Sequence, residues 1–390
     1  MIPVSVMVTG KGTVSVRIKG QYGPGSPSRF SNELRPVVFW NITYLCNLKC
    51  AHCYINAGAE HRRDELGKED LVRVAEEIAD LGLPLVIFSG GEPLLKKEFW
   101  DVASALANHE RPKLALSTNG TLLTKDVASR LSALGFAYVG VSLDSLSSEA
   151  HDRFRGVKGA FDATLKGIRN AVEEGLEVGL RTTVTRWNYQ EAPNMVDMAA
   201  RLGARRVSYY VLDSIGRARL IVHDLPTKDQ LREFVDALAS KAKEYEGVIE
   251  IELVRSNFAG IYLADRLSRT SDEFMRYLSL ISAQGDCGRK TISIYPDGTV
   301  RPCQFIDQYV IGDLKRQRLK DVLSLENGSL MKFVRLYEHL RGPRCGSCPF
   351  KLTCGGGSRG RAEAVTGDFW GDEPLCFIDP NEIARRWGVK

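Results

Sequence analysis

Three cysteines lie close together in the run NITYLCNLKCAHCY, which covers positions 41–54. Cys46, Cys50 and Cys53 have the spacing C-x3-C-x2-C. Three thiolates this close together hold three irons of a cubane iron–sulfur cluster and leave the fourth iron without a protein ligand. An open iron allows a cluster to perform chemistry on a bound molecule as well as carry electrons.

A zinc site completed by His52 is the alternative interpretation of this triplet. Structural zinc sites usually combine two C-x2-C pairs and four ligands. Here the spacing is uneven, and a second pair does not follow nearby. The pattern therefore favours an iron–sulfur cluster.

The elements that must position these cysteines follow from the hydrophobic pattern. Helical patterns alternate with six apolar runs: 37–43, 85–89, 113–118, 137–143, 177–184 and 206–212. In one helical pattern Leu71, Val74 and Ile78 share a face, and Gly82 and Gly135 are suited to end helices. The alternation predicts an α/β fold with a parallel sheet, either an open barrel or a doubly wound sheet.

Polar features follow four of these predicted strands. The cysteine run follows the first strand, Gly90-Gly91-Glu92-Pro93 the second and residues 117–120 the third, while Asp144 ends the fourth. The carboxyl ends of parallel strands meet on one rim, so we expect an active site there. A Gly-Gly-Glu-Pro segment alone is also compatible with any strand-to-helix turn.

The cysteine triplet, the Tyr54 that follows it and the Gly-Gly-Glu-Pro segment together resemble the radical S-adenosylmethionine (SAM) superfamily. The resemblance implies a partial (β/α)6 TIM-like barrel. It also implies a 4Fe–4S cluster that binds SAM at its open iron and cleaves it reductively to a 5′-deoxyadenosyl radical. The SAM-binding residues that it implies are Gly90, Gly91, Glu92 and Pro93, with Ser117, Asn119, Ser142 and Asp144 as further candidates. Loop or capping roles are the alternative for these four.

A second group of cysteines lies in the tail. Cys345, Cys348 and Cys354 have the spacing C-x2-C-x5-C, and Cys376 follows later. Four thiolates suit a structural zinc ion or a 4Fe–4S cluster. Behind a radical SAM core, the set resembles the small cysteine-rich SPASM domain, which implies an auxiliary 4Fe–4S cluster.

Cys287 and Cys303 resemble the opening of that domain, but the sequence departs from the full pattern. Ser358 occupies a position where a full SPASM domain has another cysteine, and the segment between Cys287 and Cys303 contains no further cysteine. A second auxiliary site at this pair is absent, degenerate or completed by other ligands. Two buried cysteines that pack as small hydrophobes are the alternative.

The pattern divides the chain into four parts. Residues 1–35 are predicted to be an extension of strands and turns, residues 36–220 the radical SAM core, and residues 221–284 a helical linker. Residues 285–390 form the SPASM-type domain, with a hairpin over 291–300 that turns at Pro296-Asp297-Gly298.

Composition excludes several classes of function. The 390 residues carry a formal net charge of +5 with scattered basic residues, so we do not expect nucleic-acid binding. We find no apolar run that could span a membrane and no signal peptide. Nine cysteines without a secretion signal predict a reducing cytoplasm, and metal or redox chemistry rather than disulfides.

Further segments narrow the resemblance to the radical SAM enzymes of the alternative heme and heme d1 pathways. They are VVFWNIT at 37–43, HDRFRGVKGAF at 151–161, SIGR at 214–217 and CGGGSRGRAEAVTGDFW at 354–370. This resemblance implies decarboxylation, or removal of acetate, on the side chains of a tetrapyrrole. An electron donor such as ferredoxin or flavodoxin is the implied partner.

A tetrapyrrole has several carboxylates and a flat apolar face. Tyr209 and Tyr210 could pack on the ring. Ion pairs with Asp213 and with surface acids are the alternative role for arginines in this region. Those that could bind the carboxylates in a bidentate manner are Arg181, Arg205, Arg206, Arg217 and Arg219.

Three other functions remain open from sequence. A SPASM-type peptide maturase would form thioether or other cross-links, although such enzymes often have an N-terminal peptide-recognition domain and only about 35 residues precede the first core strand here. Maturation of a tungsten or molybdenum pterin is a second alternative. A non-catalytic metal-binding scaffold is the third, and the two intact core motifs argue against it.

Overall fold

The computed structural model describes residues 1–14, 35–60, 62, 64–281 and 286–389. All six predicted core strands and the two strands of the predicted hairpin are present, and the structure adds two more. The ten strands are β1 (Val37–Asn41), β2 (Leu85–Ser89), β3 (Lys113–Thr118), β4 (Phe136–Ser142), β5 (Val178–Val184), β6 (Arg206–Val211), β7 (Glu250–Val254), β8 (Thr291–Ile294), β9 (Thr299–Arg301) and β10 (Gly312–Asp313).

The helices fall between and after the strands. Those of the first 280 residues are α1 (Val4–Thr9), α2 (Lys68–Asp80), α3 (Phe99–Ala107), α4 (Lys125–Ala133), α5 (Ser148–Arg155), α6 (Ala160–Glu173), α7 (Met195–Leu202), α8 (Lys228–Glu244), α9 (Asn257–Leu267) and α10 (Ser271–Leu280). Those of the tail are α11 (Leu319–Val322), α12 (Gly328–Val334), α13 (Leu336–His339), α14 (Lys351–Cys354), α15 (Arg359–Thr366) and α16 (Pro380–Trp387). Gly82 and Gly135 follow α2 and α4 with φ of 58° and 71°, which confirms both as helix stops.

The strands form one sheet in the order β10-β9-β8-β1-β2-β3-β4-β5-β6-β7. Strands β1 to β7 pair in parallel with their sequence neighbours, because a helical crossover follows each of the first six. This confirms the predicted α/β class and the TIM-like arrangement. Strand β8 pairs in parallel on the other side of β1, so eight strands are parallel where six core strands were predicted.

The two faces of the sheet have different environments. Side chains such as Trp40, Phe88 and Val141 point towards the helices and are fully buried. The opposite face surrounds a cavity of about 250 Å³, lined from each of the seven strands by Phe39, Ile87, Ala115, Tyr138, Arg181, Ser208 and Val254, among others. Since one cavity collects side chains from every strand, the sheet curls into an open barrel. We call this space the barrel cavity.

The prediction for the N-terminus was wrong over residues 4–9, which form helix α1. Ile2 pairs with Leu253 as an antiparallel bridge, and the Ser5 hydroxyl accepts a hydrogen bond from the Ile251 N–H at 2.9 Å. The first residues therefore cover the free edge of β7, which would otherwise expose unpaired backbone groups. Residues 15–34 of the predicted extension lie outside the described part.

The predicted linker at 221–284 is helical in α8, α9 and α10, but it also contains β7, which the pattern did not reveal. The sequence EIELV places two glutamates on the inner side of this short strand, where a strand pattern expects apolar residues. Both are buried, and both pair with Arg206 of β6. The segment therefore extends the core sheet.

The predicted hairpin at 291–300 is confirmed. Strands β8 and β9 pair antiparallel, and Gly298 has the positive φ of 86° that the turn requires. Strand β8 also pairs in parallel with β1, with Trp40 opposite Ile294. The hairpin that opens the tail is thus part of the core sheet, and it brings Cys287 and Cys303 to the barrel cavity.

Within the described residues, no helix has both the length and the apolar character needed to cross a membrane.

Candidate active site

The first cysteine triplet lies on the rim of the barrel, in the loop after β1. Cys46, Cys50 and Cys53 line one cavity of about 150 Å³, which we call the cysteine cavity. Backbone hydrogen bonds fold this loop onto itself: the N–H of Cys46 donates to Gly58 O at 2.7 Å, and the N–H of Gly58 donates to Tyr44 O at 3.1 Å. The strand end and these bonds hold the three thiols together.

The surroundings of the thiols fit a thiolate cluster. The N–H of Leu48 donates to Cys46 Sγ at 3.4 Å, and the N–H of Ala57 donates to Cys53 Sγ at 3.3 Å. Burial raises the pKa of the Cys46 thiol to about 12, and a bound metal is the agent that removes such a proton. N–H groups directed at sulfur stabilise the thiolate state and tune the potential of iron–sulfur clusters.

The zinc alternative does not fit this geometry. His52 lines the cysteine cavity, but its ring stacks on Phe154 with ring centroids 4.1 Å apart. Over the described ranges, no three His, Cys, Asp or Glu side chains are arranged to hold a single metal ion. Three thiols in one cavity suit a multi-iron cluster with an open iron.

Gly90 and Gly91 line the cysteine cavity beside the thiols. Gly90 has a φ of 125°, and a Cβ on Gly91 would lie 2.1 Å from the carbonyl oxygen of Leu45. The N–H of Gly91 donates to Thr43 O at 2.7 Å. The glycines therefore allow the loop after β2 to pack directly on the backbone of the cysteine loop.

Glu92 and Pro93 do not line the cysteine cavity. The Glu92 carboxylate is fully buried and accepts hydrogen bonds from Thr118 Oγ1 at 2.8 Å, Asn119 N at 2.9 Å and Leu94 N at 3.3 Å. Burial raises the pKa of Glu92 to about 7, and the donors oppose this rise. Glu92 thus links the loops after β2 and β3, and its carboxylate does not line the cavity where SAM binding was predicted.

Of the other four predicted SAM-binding residues, three line the cysteine cavity and one does not. Ser117, Asn119 and Ser142 line the cysteine cavity. Asp144 does not; it forms a buried ion pair with Arg155 at 2.5 Å and accepts a hydrogen bond from the Thr183 N–H at 2.8 Å. Burial opposes ionisation of Asp144, but Arg155 keeps its pKa below the usual value.

Arg155 is a site residue that the sequence analysis missed. It ends α5, is buried, and its Nη1 lies 3.7 Å from Cys50 Sγ. The Nε of the same guanidinium donates a hydrogen bond to Asp144 Oδ2 at 2.7 Å. A basic residue that ends a helix ordinarily indicates only a helix-terminal charge, so the sequence carried no signal for this contact.

The cysteine cavity continues into the barrel cavity. Arg181 lies at this junction, 4.8 Å from the ring centroid of Tyr210, and contacts Ser117. Tyr209 is fully buried on the opposite face and donates to Ala192 O at 2.9 Å, so its predicted contact with substrate was wrong. The residues that line both cavities are Ser117, Arg181, Tyr210, Arg255, Gln304 and Phe305.

The other four predicted carboxylate-binding arginines have different roles. Arg205 is exposed and lies outside both cavities. Arg219 is also outside and pairs with Asp307 at 3.0 Å. Arg206 lines the barrel cavity but pairs with Glu250 at 2.7 Å, and Arg217 donates to the carbonyls of Cys50 and Ala57 at 2.9 and 2.6 Å. Arg217 therefore holds the cysteine loop, and the prediction was wrong for Arg205 and Arg219.

The tail cysteines meet as a group. Cys345, Cys348, Cys354 and Cys376 line one small cavity of about 20 Å³, and Cys354 also lines the barrel cavity. The N–H of Glu373 donates to Cys345 Sγ at 3.5 Å, and the Arg344 guanidinium lies 4.0 Å from Cys376 Sγ. Four free thiols with sulfur-directed donors fit one iron–sulfur cluster.

Cys287 and Cys303 form a disulfide bond. The expectation that the cysteines serve metal rather than disulfides was therefore wrong for this pair. Ser358, which replaces the family cysteine, caps α15 through the Arg361 N–H and donates to Asp213 Oδ1 at 2.6 Å. The second auxiliary site thus lacks free thiols in this structure.

Comparison with known proteins agrees with this geometry. The model of the radical SAM superfamily matches residues 40–199, and that of an iron–sulfur cluster-binding domain, SPASM, matches residues 286–349. The chain is 34% identical to the Fe-coproporphyrin III synthase of Methanosarcina barkeri over 98% of this chain and 99% of that protein. It is 31% identical to the pre-heme d1 synthase of Dinoroseobacter shibae over 93% and 91%.

Among solved structures, Streptococcus suis SuiB bound to S-adenosylmethionine aligns with a TM-score of 0.67 at 18% identity, over 88% of this chain and 77% of that one. This likeness concerns the fold. The chain belongs to the radical SAM superfamily. It is an enzyme that uses SAM and 4Fe–4S clusters, with a SPASM-type domain at its C-terminus.

Proposed function

We propose that the enzyme removes carboxylate or acetate from the side chains of an iron tetrapyrrole during heme formation. The names of the two relatives above, which match nearly the whole chain, support this substrate class. The observation that carries the proposal is the continuity of the two cavities. The thiol-lined cysteine cavity leads, past Arg181 and Tyr210, into a larger space inside the barrel.

In this proposal Cys46, Cys50 and Cys53 hold the SAM-binding cluster. Such a cluster, when bound and reduced, would supply the electron that cleaves SAM to methionine and a 5′-deoxyadenosyl radical, which would abstract hydrogen. Gly90 and Gly91 present backbone next to the thiols, where the methionine part of SAM would bind. Ser117, Asn119 and Ser142 supply polar groups along the same wall.

The chain's own residues then orient the substrate. Arg181 offers a guanidinium at the junction, where a carboxylate arm would enter from the barrel cavity, and Tyr210 and Phe305 offer flat surfaces with ring centroids 6.1 Å apart. Strands β1 to β7 all contribute side chains to the wall of this space.

The tail cysteines Cys345, Cys348, Cys354 and Cys376 would hold the auxiliary cluster. Since Cys354 also lines the barrel cavity, this cluster would lie close enough to exchange an electron with a substrate intermediate. We further propose that a ferredoxin or flavodoxin supplies electrons and that the enzyme works in the reducing cytoplasm.

The test is an anaerobic assay of the reconstituted enzyme with SAM and dithionite. Didecarboxysiroheme and iron-coproporphyrin are supplied in parallel, and products are followed by mass spectrometry. We expect one tetrapyrrole to lose mass in step with the formation of 5′-deoxyadenosine. A variant with alanine at positions 46, 50 and 53 is the control and should form neither product.

Other outcomes would separate the alternatives. Cleavage of SAM without change in either tetrapyrrole would refute the proposed substrate and favour a peptide or pterin substrate. Failure of the fully reconstituted enzyme to cleave SAM would refute the catalytic role and favour a scaffold.

A further inference from the structure

Arg255 occupies a strained backbone position directly after β7. Its φ is 66°, and within the part of the chain that the structure describes only Asn56 shares a positive φ among non-glycine residues. Asparagine adopts this region readily, whereas a residue with a long side chain such as arginine rarely does. Strain of this kind persists where surrounding structure enforces it, and it clusters at functional sites.

A buried network enforces this conformation. The Arg255 carbonyl accepts a hydrogen bond from Arg361 Nη2 at 2.5 Å. Arg361 is completely buried and forms an ion pair with Glu373 at 3.0 Å. Arg361 and Glu373 of the tail domain thus hold the backbone at the end of β7, and with it the position of the Arg255 side chain.

The Arg255 guanidinium has unused hydrogen-bonding capacity. Its Nη1 lies 3.1 Å from Cys287 Sγ, and its Nε lies 3.5 Å from Asp213 Oδ2. Both Nε and Nη2 are buried and make no hydrogen bond with the described protein. A buried donor without an acceptor destabilises the protein, so this arrangement favours a ligand that supplies acceptors.

The position of the Arg255 guanidinium between the two cavities indicates the class of ligand that it would bind. Arg255 lines both cavities, as Arg181 does, and its guanidinium lies 5.4 Å from the ring centroid of Phe305. Two arginines and two aromatic rings, Tyr210 and Phe305, therefore share the junction. Guanidinium groups bind carboxylates in a bidentate manner, and aromatic rings pack on flat apolar surfaces.

We propose that Arg255 is a substrate-binding residue that, together with Arg181, holds carboxylate arms of a planar macrocycle at the junction of the two cavities. This inference rests on the proposed function, because it takes a carboxylate-bearing tetrapyrrole as the substrate. It explains why the arginine occupies a position where glycine would be less strained. The ring would lie in the barrel cavity, and the arm to be modified would reach the cysteine cavity.

The test compares holoenzyme variants by titration with coproporphyrin, which has four carboxylates, and with its tetramethyl ester, in the same detergent buffer. R255G removes the side chain and relieves the backbone strain, so misfolding through strain is avoided. R255K keeps the charge and loses the planar fork. R205Q is the matched control, since Arg205 is exposed and outside both cavities. Iron content per chain reports on the clusters.

We expect R255G to bind coproporphyrin about tenfold or more weakly than wild type, since a hydrogen bond to a charged group contributes about that much. R255K should fall between them, and R205Q should match wild type. Esterification should weaken binding by wild type more than by R255G. A purely structural role would not produce this selective loss of carboxylate discrimination.

Two results would overturn the inference in distinguishable ways. Wild-type affinity in R255G, with or without a loss of iron, would refute the role of Arg255 and leave the proposed function standing. If wild type binds neither coproporphyrin nor didecarboxysiroheme, the proposed function and this inference both fall.

Discussion

At the scale of single residues, the site depends on close backbone packing between two loops. Gly91 lies against the carbonyl of Leu45, one residue before Cys46, and the N–H of Glu92 donates to the same carbonyl at 2.8 Å. The thiols are therefore positioned by a backbone contact that tolerates no side chain.

This packing predicts the effect of Gly91→Ala. The added Cβ would meet backbone at 2.1 Å, so the cysteine loop must shift. We expect destabilisation by about 1–3 kcal/mol and loss of iron from the first cluster. Gly58→Ala is the matched control, because a Cβ at Gly58 in the same loop meets nothing within 4 Å. Iron quantification and thermal melting would test this, and wild-type iron content in Gly91→Ala would contradict it.

Glu92 predicts a pH dependence of stability. Burial raises its pKa in the folded protein from 4.5 to about 7, so ionisation in this interval favours the unfolded chain. The contribution of Glu92 to the free energy of unfolding is fully present below pH 4.5. It is lost as the pH rises towards 7, at up to about 1.4 kcal/mol per pH unit.

The measurement is urea unfolding of the metal-free protein at pH 5 and pH 8, for wild type and Glu92→Gln. Glutamine does not titrate, so the stability of wild type relative to the variant should be higher at pH 5. A difference that does not change between the two pH values would show that the three donors keep Glu92 ionised throughout.

At the scale of elements, the strand β7 is held to the barrel by buried charge. Arg206 on β6 pairs with Glu250 at 2.7 Å and lies 3.7 Å from Glu252. Removing one member of a buried pair leaves a desolvated charge, which costs about 3–5 kcal/mol.

We therefore expect Arg206→Met to destabilise the protein by about 3 kcal/mol or more, measured as a shift in the urea midpoint. The neighbouring Arg205→Met should change stability by no more than about 0.5 kcal/mol, because Arg205 is exposed. Equal stability of the two variants would mean that the carboxylates of Glu250 and Glu252 do not need this guanidinium.

The same strand shows where sequence reasoning was insufficient. The strands β1 to β6 could be predicted because their apolar runs are long and are followed by helical patterns. In β7 the glutamates that satisfy Arg206 interrupt the apolar pattern, and only the tertiary contact explains them. Helix α1 was missed because VSVMVT is rich in β-branched residues; its packing at the β7 edge overrides this propensity.

For the site, the cysteines could be predicted because ligand chemistry fixes their type and spacing. The cysteines at 46–53 lie together in one cavity and those at 345–376 in another, as predicted. The arginines could not be predicted in this way, since which acid each one meets depends on the fold. Arg155, Arg217 and Arg255 all reach the cysteine loop or Cys287, and only one of them was a candidate.

At the scale of the whole molecule, strand pairing and buried hydrogen bonds join the tail to the core. Strand β8 pairs with β1, Arg361 binds the carbonyls of Val211 and Arg255, and Cys354 lies at the barrel cavity. The proposed auxiliary cluster would therefore lie in the wall of the barrel cavity. The two cysteine groups nevertheless lie in separate cavities, which predicts that their roles can be separated.

We expect the double variant Cys348→Ala/Cys376→Ala to lose about one cluster of iron and to retain SAM cleavage, while conversion of the tetrapyrrole is lost. The reason is that these thiols line the tail cavity and not the cysteine cavity. Iron analysis and product assays would check this. Complete loss of SAM cleavage in a variant that retains the first cluster would contradict the separation.

The central claim is that hydrogen is taken from a tetrapyrrole side chain held across the junction of the two cavities. The most direct test uses iron-coproporphyrin and didecarboxysiroheme with deuterium in the arms that are to be modified, supplied to the reduced enzyme with unlabelled SAM. The account predicts that deuterium appears in 5′-deoxyadenosine with one of these substrates. If 5′-deoxyadenosine forms but remains unlabelled with both, the claim is contradicted.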